Sequence, residues 1–152
     1  MSTYTATTRW TRKGDGDFTK GQYSRVHEWA FDGGVTVPAS ASPHVVPAPW
    51  SDPAGVDPEE AFIASLSSCH MLFFIDFARR DGLTVDDYVD EAEGLMEKRG
   101  DGKIAMTRVT LRPRITWGGE APDDAAIADL HHRAHEACFI ANSVTTEVTV
   151  QS

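Results

Sequence analysis

Cys69 and Cys138 are the only two thiols in the chain, and thiol chemistry is the first chemistry it offers. A sulfur attacks a peroxide or a disulfide as the thiolate, and an ordinary cysteine, with a pKa of ~8.5, is mostly protonated at neutral pH. Cys69, if it is to act as a nucleophile, therefore needs help. It stands mid-way along a helical pattern, too far from the helix N-terminus for the dipole to act, and apolar burial alone works against the charge. A cation is required. Arg25 is the first candidate, Arg9 and Arg12 stand behind it, and His27, His44 and His70 are weaker donors. The plain alternative is that both cysteines are small buried hydrophobes and each arginine a surface residue.

Two other groups invite chemistry. His131 and His135 lie one helical turn apart with Glu136 adjacent. The ligand set is incomplete and the glutamate is misplaced for the helical zinc hydrolase motif, so no metal is expected. A polar helix face, or packing of His132 and His135 against neighbours, accounts for these residues. Glu59 falls in the first turn of the helix that carries Cys69, where a carboxylate usually complements the dipole. Ten residues of helix put it ~15 Å from Cys69 along the axis. If both serve one site, Glu59 comes from a partner subunit or acts through an arginine reaching between them.

The elements that must position these residues follow from local pattern. Asp57-Pro58-Glu59-Glu60 opens a helix with a cap, a proline suited to the first position and two acids at the positive end, and the pattern runs to Arg80 before Asp81-Gly82 closes it. Leu66, Cys69 and Phe73 recur at helical spacing, and Phe62, Leu72, Phe74, Ile75 and Phe77 make the segment apolar nearly all round, which predicts a central buried helix. Before it, Tyr4–Thr11, Gln22–Phe31 and Val35–Ala39 read as three strands of a meander, with Asp32-Gly33-Gly34 as a tight turn. Residues 40–56 hold four prolines and form an irregular loop. After the helix, 84–99 is locally ambiguous: Glu, Ala, Leu and Lys favour helix, whereas Val85, Tyr88, Val89 and Gly94 favour strand. Residues 104–117 alternate as a long strand, so a hairpin is expected over 84–117. A second helix is expected at 123–137 with Ile127, Leu130, Ala134 and Cys138 as its core stripe, then a last strand over 143–151. Three strands, helix, two strands, helix, strand make an α+β fold rather than a parallel α/β sheet.

The chain is long enough for one core, and a single domain over 1–152 is expected. Its formal charge of −9 disfavours nucleic acid and anionic membranes as partners. No signal-peptide pattern opens the sequence and the longest apolar run, Met71–Ile75, is short, so a cytoplasmic protein is expected. Two cysteines in a reducing cytosol do not make a structural disulfide framework.

With Pro58-Glu59 before Cys69, Ser67-Ser68-Cys69-His70, and Ala134-His135-Glu136-Ala137-Cys138-Phe139-Ile140-Ala141-Asn142, the chain resembles the family of osmotically inducible protein C and organic hydroperoxide resistance proteins. The resemblance spans nearly the whole chain. It implies an OsmC-like fold, antiparallel sheets around a buried central helix in an intertwined homodimer, and a thiol peroxidase without cofactor. It also implies that Cys69 attacks, Cys138 resolves, and Glu59 orients an arginine beside the thiolate. The chain has Cys138-Phe139 where the family usually has Cys-Pro, and no arginine between Val26 and Ala78. The function that follows is reduction of organic hydroperoxides through a sulfenic acid and an internal disulfide, reset by a dithiol, of lipoyl type by analogy. The alternative from another class is a non-catalytic small-ligand or partner-binding module on the same fold.

Overall fold

The computed structural model describes all 152 residues, and the chain divides into two compact units, Met1–Ala61 and Phe62–Ser152. In the first, β1 (Ala6–Arg9), β2 (His27–Phe31) and β3 (Thr36–Ala39) form an antiparallel sheet in the order β1-β2-β3. The meander expected from the sequence is present with shorter first and middle strands. Residues 22–26 leave the ladder because local bonds take over their polar groups. The Arg25 N–H donates to Trp50 O at 2.8 Å, and the Val26 N–H to Ser24 Oγ at 3.2 Å. Beyond β3 the proline-rich loop is irregular as expected, joined back to the strand by a single bridge between Ala39 and Val56.

Helix α1 (Pro58–Arg80) starts where its caps dictate. Glu60 N–H donates to Asp57 Oδ1 at 2.7 Å while Asp57 N–H donates to Glu60 Oε2 at 3.0 Å, a reciprocal capping box worth ~1 kcal/mol. It ends at Gly82, whose φ of 78° is the left-handed turn that lets Leu83 N–H reach Ala78 O at 2.9 Å.

In the second unit α1 buries one stripe, Leu66, His70, Phe74 and Ala78, rather than its whole circumference. Leu72 (61%) and Ile75 (36%) keep much of their surface exposed in the single chain. The expected stripe through Cys69 and Phe73 is thus displaced by one position, and Cys69 is only half-buried at its margin. By length and composition α1 passes for a membrane span, with a mean hydropathy of 1.6 over its most apolar window. Its buried stripe feeds two cores of the second unit, which assigns it to a protein interior.

The expected hairpin over 84–117 is four strands. β5 (Glu93–Lys98) and β6 (Ile104–Leu111) pair across the turn, and β4 (Val85–Asp90) pairs with β7 (Pro113–Trp117) in a separate two-stranded sheet. The crease falls where Pro113 has no N–H to give and where Asp90 Oδ1 takes the Arg112 N–H at 2.6 Å. Gly94, one of the residues that spoke for strand in this stretch, sits where a Cβ would come within 2.6 Å of Ile63 Cδ1 and 2.5 Å of Met106 Sδ. Strand β5 lies so close to α1 that a side chain there would have to displace Ile63 and Met106.

Helix α2 (Asp124–Ala137) begins at Asp123, whose Oδ1 accepts from Ala126 N–H at 2.8 Å. The last strand, β8 (Glu147–Val150), is shorter than expected and runs parallel to β6, the one parallel pair in the fold. Two apolar clusters result. Phe74 and Ala78 of α1 meet Leu130 and Ala134 of α2 over the β4–β7 pair, and Leu66 meets Val109 and Leu111 over the β5-β6-β8 sheet.

Candidate active site

Cys69 and Cys138 are far apart in sequence and are brought together in the second unit. The stripe of α2 that seats Leu130 and Ala134 also carries Cys138 inward, to 1% exposure, at the point where the helix stops. Cys138 is the C-cap residue: its ψ of 112° is extended, and its N–H donates to His135 O at 3.2 Å. The chain then curls around the sulfur. Ala141 N–H points at Cys138 Sγ at 3.4 Å, and Asn142 N–H donates to Cys138 O at 3.0 Å. The rings of Phe73 and Phe139 meet edge to face at 4.9 Å, which ties the segment after α2 to α1 beside Cys69.

Burial pushes the Cys138 thiol above its ordinary range, the Ala141 N–H draws it back, and the neighbouring Cys69 raises it further. Both cysteines are free thiols. Such a neighbourhood suits thiol–disulfide chemistry: a half-buried cysteine with a buried, protonated one near it.

Arg25 and Glu59 belong to the first unit. Arg25 Nη1 donates to Gly21 O at 2.7 Å and Tyr23 O at 2.5 Å, and its guanidinium lies over the Tyr23 ring at 3.6 Å. With Trp10, Phe18, Tyr23 and His27 it lines a largely apolar cleft of about 430 Å³. Glu60, not Glu59, closes the capping box, and Glu59 Oε2 is buried without a hydrogen-bond partner. Arg9 pairs with Glu28 at 3.5 Å on the surface, and Arg12 is exposed. His27 Nδ1 is taken by Arg25 O at 2.7 Å, and His44 is exposed.

A family model described as OsmC-like protein matches residues 51–152, a span that holds Glu59, Cys69 and Cys138 and leaves Arg25 outside. The chain belongs to the OsmC-like family. An OsmC-like protein of unknown function from Vibrio cholerae is 51% identical, with a TM-score of 0.96 and 99% of each chain covered. The organic hydroperoxide resistance protein OhrB of Bacillus subtilis has the same fold at 21% identity, a TM-score of 0.68 and 97% coverage of both chains. An organic hydroperoxide resistance protein from Legionella pneumophila is similar at 16% identity, a TM-score of 0.69 and 100% coverage of both. No curated protein matches the chain.

In this OsmC-like protein the sequence reading missed a second polar cluster beside Cys69. His70 and His131 are both buried, their rings nearly parallel and joined by a 3.0 Å hydrogen bond between His70 Nε2 and His131 Nδ1. His131, the residue singled out as a possible ligand, is thus turned into the core, with its ring on Phe74 at 4.4 Å. His132 is exposed. No three His, Cys, Asp or Glu side chains converge on a point that could hold a metal ion. Asp90, at the crease between sheets, accepts from Ser67 Oγ at 2.5 Å as well as from Arg112 N–H. The only sequence signal for this cluster is that His70 and Phe74, like Leu66, fall on one i, i+4 line.

Proposed function

We propose that this OsmC-like protein is a cysteine peroxidase that reduces organic hydroperoxides. The observation that carries the reading is the placing of half-buried Cys69 close enough to buried Cys138 to raise its thiol pKa. The Cys69 thiolate attacks the peroxide: an S–O bond forms, the O–O bond breaks, and the departing alkoxide takes a proton and leaves as the alcohol. Cys138 then attacks the sulfenic sulfur. An S–S bond forms, and the sulfenic oxygen leaves as water with the Cys138 proton. An external dithiol supplies two electrons and two protons to restore both thiols, in keeping with a reducing cytosol, and becomes a disulfide itself.

The same reading gives Arg25 the part of the cation that holds the thiolate and Glu59 that of the carboxylate that orients it. In a homodimer either copy can supply them. Support comes from the organic hydroperoxide resistance proteins of Bacillus subtilis and Legionella pneumophila, which share the fold.

Thiol titration before and after one equivalent of cumene hydroperoxide tests the proposal. Wild type loses both thiols and gains a Cys69–Cys138 disulfide. Cys69→Ser loses turnover altogether, and Cys138→Ser consumes one equivalent and then stalls or overoxidises. Two intact thiols after exposure, or full turnover in Cys69→Ser, overturns it in favour of a non-catalytic binding module.

A further inference from the structure

The His70–His131 pair is an odd choice for the place it occupies. The stripe around it is Leu66, Phe74, Ala78, Leu130 and Ala134, and an apolar pair would continue it. Instead the helices meet through two imidazoles, and His70 Nδ1 and His131 Nε2 are buried with no hydrogen-bond partner. Two polar rings set in an apolar stripe are a choice that packing alone does not explain. What the pair supplies is direction. Apolar packing sets how two helices cross, and a hydrogen bond between two rigid rings adds a directional constraint on their separation and register. It is the one side-chain hydrogen bond between a residue of α1 and a residue of α2, the Arg133 ion pair reaching Asp81 just past the end of α1.

Its location relates it to the thiols. His70 is the next residue after Cys69 on α1. His131 precedes Cys138 by seven residues, two turns of α2 and ~10 Å along the axis, on nearly the same face. A tilt of α2 by about 6° about the pair moves Cys138 by roughly 1 Å at that radius, a large fraction of the ~2.4 Å span of Cα separations that a disulfide tolerates.

We propose that the His70–His131 hydrogen bond is a positioning pair that sets the Cys69–Cys138 approach and so determines how readily the two thiols close to a disulfide. The inference rests on the disulfide step of the function proposed above and on no other part of it. Burial keeps the pair neutral at physiological pH, with both imidazoles pushed down to about 4. The charged or titratable groups that bear on it are Asp90 on β4, which draws His131 up, and His135 on α2, which pushes His70 down. β8 offers His131 only Val148 and Val150 across the neighbouring cleft.

The test equilibrates the full-length protein with glutathione redox buffers at pH 7, without hydroperoxide, and reads the effective concentration of the Cys69–Cys138 pair by alkylation and mass. His131→Phe and His70→Leu remove the bond. His131→Asn keeps an amide where Nδ1 stands. The expected result is a drop of tenfold or more in effective concentration in His131→Phe, with recovery to within about threefold of wild type in His131→Asn, while the thermal midpoint of His131→Phe is unchanged or raised. A merely structural pair would lower the midpoint and leave the equilibrium alone. Should His131→Phe not fold, His70→Leu reads the same quantity. Wild-type effective concentration in a folded His131→Phe or His70→Leu overturns the proposal, as does an equal loss in His131→Asn. Because no peroxide enters, a negative result leaves the peroxidase reading standing, and a failure of that reading leaves this equilibrium measurable.

Discussion

Acid should loosen this protein at a pH where most of its carboxylates are still ionised, and the buried histidines say by how much. His70 and His131 both titrate at about 4 in the folded chain against an ordinary value of 6.5, chiefly because burial penalises the charged ring. A histidine whose folded value is depressed binds fewer protons than the unfolded chain between the two values. Stability is therefore whole above pH 6.5, falls as the pH drops from 6.5 toward 4, and levels off below. The depression is 6.5 − 4 = 2.5 units for each ring. At about 1.36 kcal/mol per unit the ceiling is ~3.4 kcal/mol per histidine. The two share one hydrogen bond, broken once, and some solvent screening reaches them, so a loss of about 3 kcal/mol for the pair is carried forward. The assay is urea denaturation at pH 7.5 and pH 4.5, at one protein concentration, on wild type and on His70→Leu/His131→Leu. With a urea slope of ~2 kcal/mol per molar, the wild-type midpoint drops by about 1.5 M, whereas the double variant holds its midpoint to within about 0.5 M. Asp17, Asp76, Glu91 and Asp101 are held below the ordinary carboxylate range by surface partners, so their contribution is lost at lower pH and is common to both proteins. Equal acid slopes in the two proteins would refute the reasoning.

Three further outcomes are expected. Arg25→Ala slows alkylation of Cys69 and its reaction with hydroperoxide at pH 7 by tenfold or more without unfolding the protein, and an unchanged pH profile for alkylation moves the role to Arg9, Arg12 or a histidine. Cumene and tert-butyl hydroperoxide are reduced faster than hydrogen peroxide by orders of magnitude, because Leu72, Phe73 and Phe139 offer apolar surface near the thiols and each methylene withdrawn from water contributes ~0.8 kcal/mol. Equal second-order rates under one reductant contradict this. Light scattering at micromolar concentration gives a homodimer, since Leu72, Ile75 and the 70% exposed Phe139 are apolar surface that a second copy can cover. A stable monomer rules that out.

The helices were legible because their signals are local. Asp57 and Glu60 close a capping box within one turn, Gly82 supplies the left-handed residue, and Asp123 caps α2, all within a few residues of the element they bound. The α+β order followed from the same short-range patterns. Strand lengths did not. Residues 22–26 alternate like a strand, but backbone and side-chain bonds around Arg25 took them out of the sheet, and the crease at Pro113 depends on Asp90 reaching Arg112 from another strand. The direction of β8 beside β6 is likewise a long-range choice.

At the candidate site, residue chemistry marked Cys69 and Cys138 as the sulfurs to watch, and resemblance supplied their roles. That they lie near one another was decided by the packing of Leu130 and Ala134 against Phe74 and Ala78, which carries the end of α2 toward α1. The polarity of α1 shows the limit most clearly. An apolar helix with candidate core residues on nearly every side does not declare which stripe it buries, because periodicity fixes an angle between residues and not the direction of the neighbours. The sequence by itself determined that a long capped helix carries a cysteine among apolar residues and that a second cysteine ends the next helix. Only the tertiary structure turned His70 inward and Cys69 to the margin, because that choice depends on what Val109, Leu111 and His131 present from elements far along the chain.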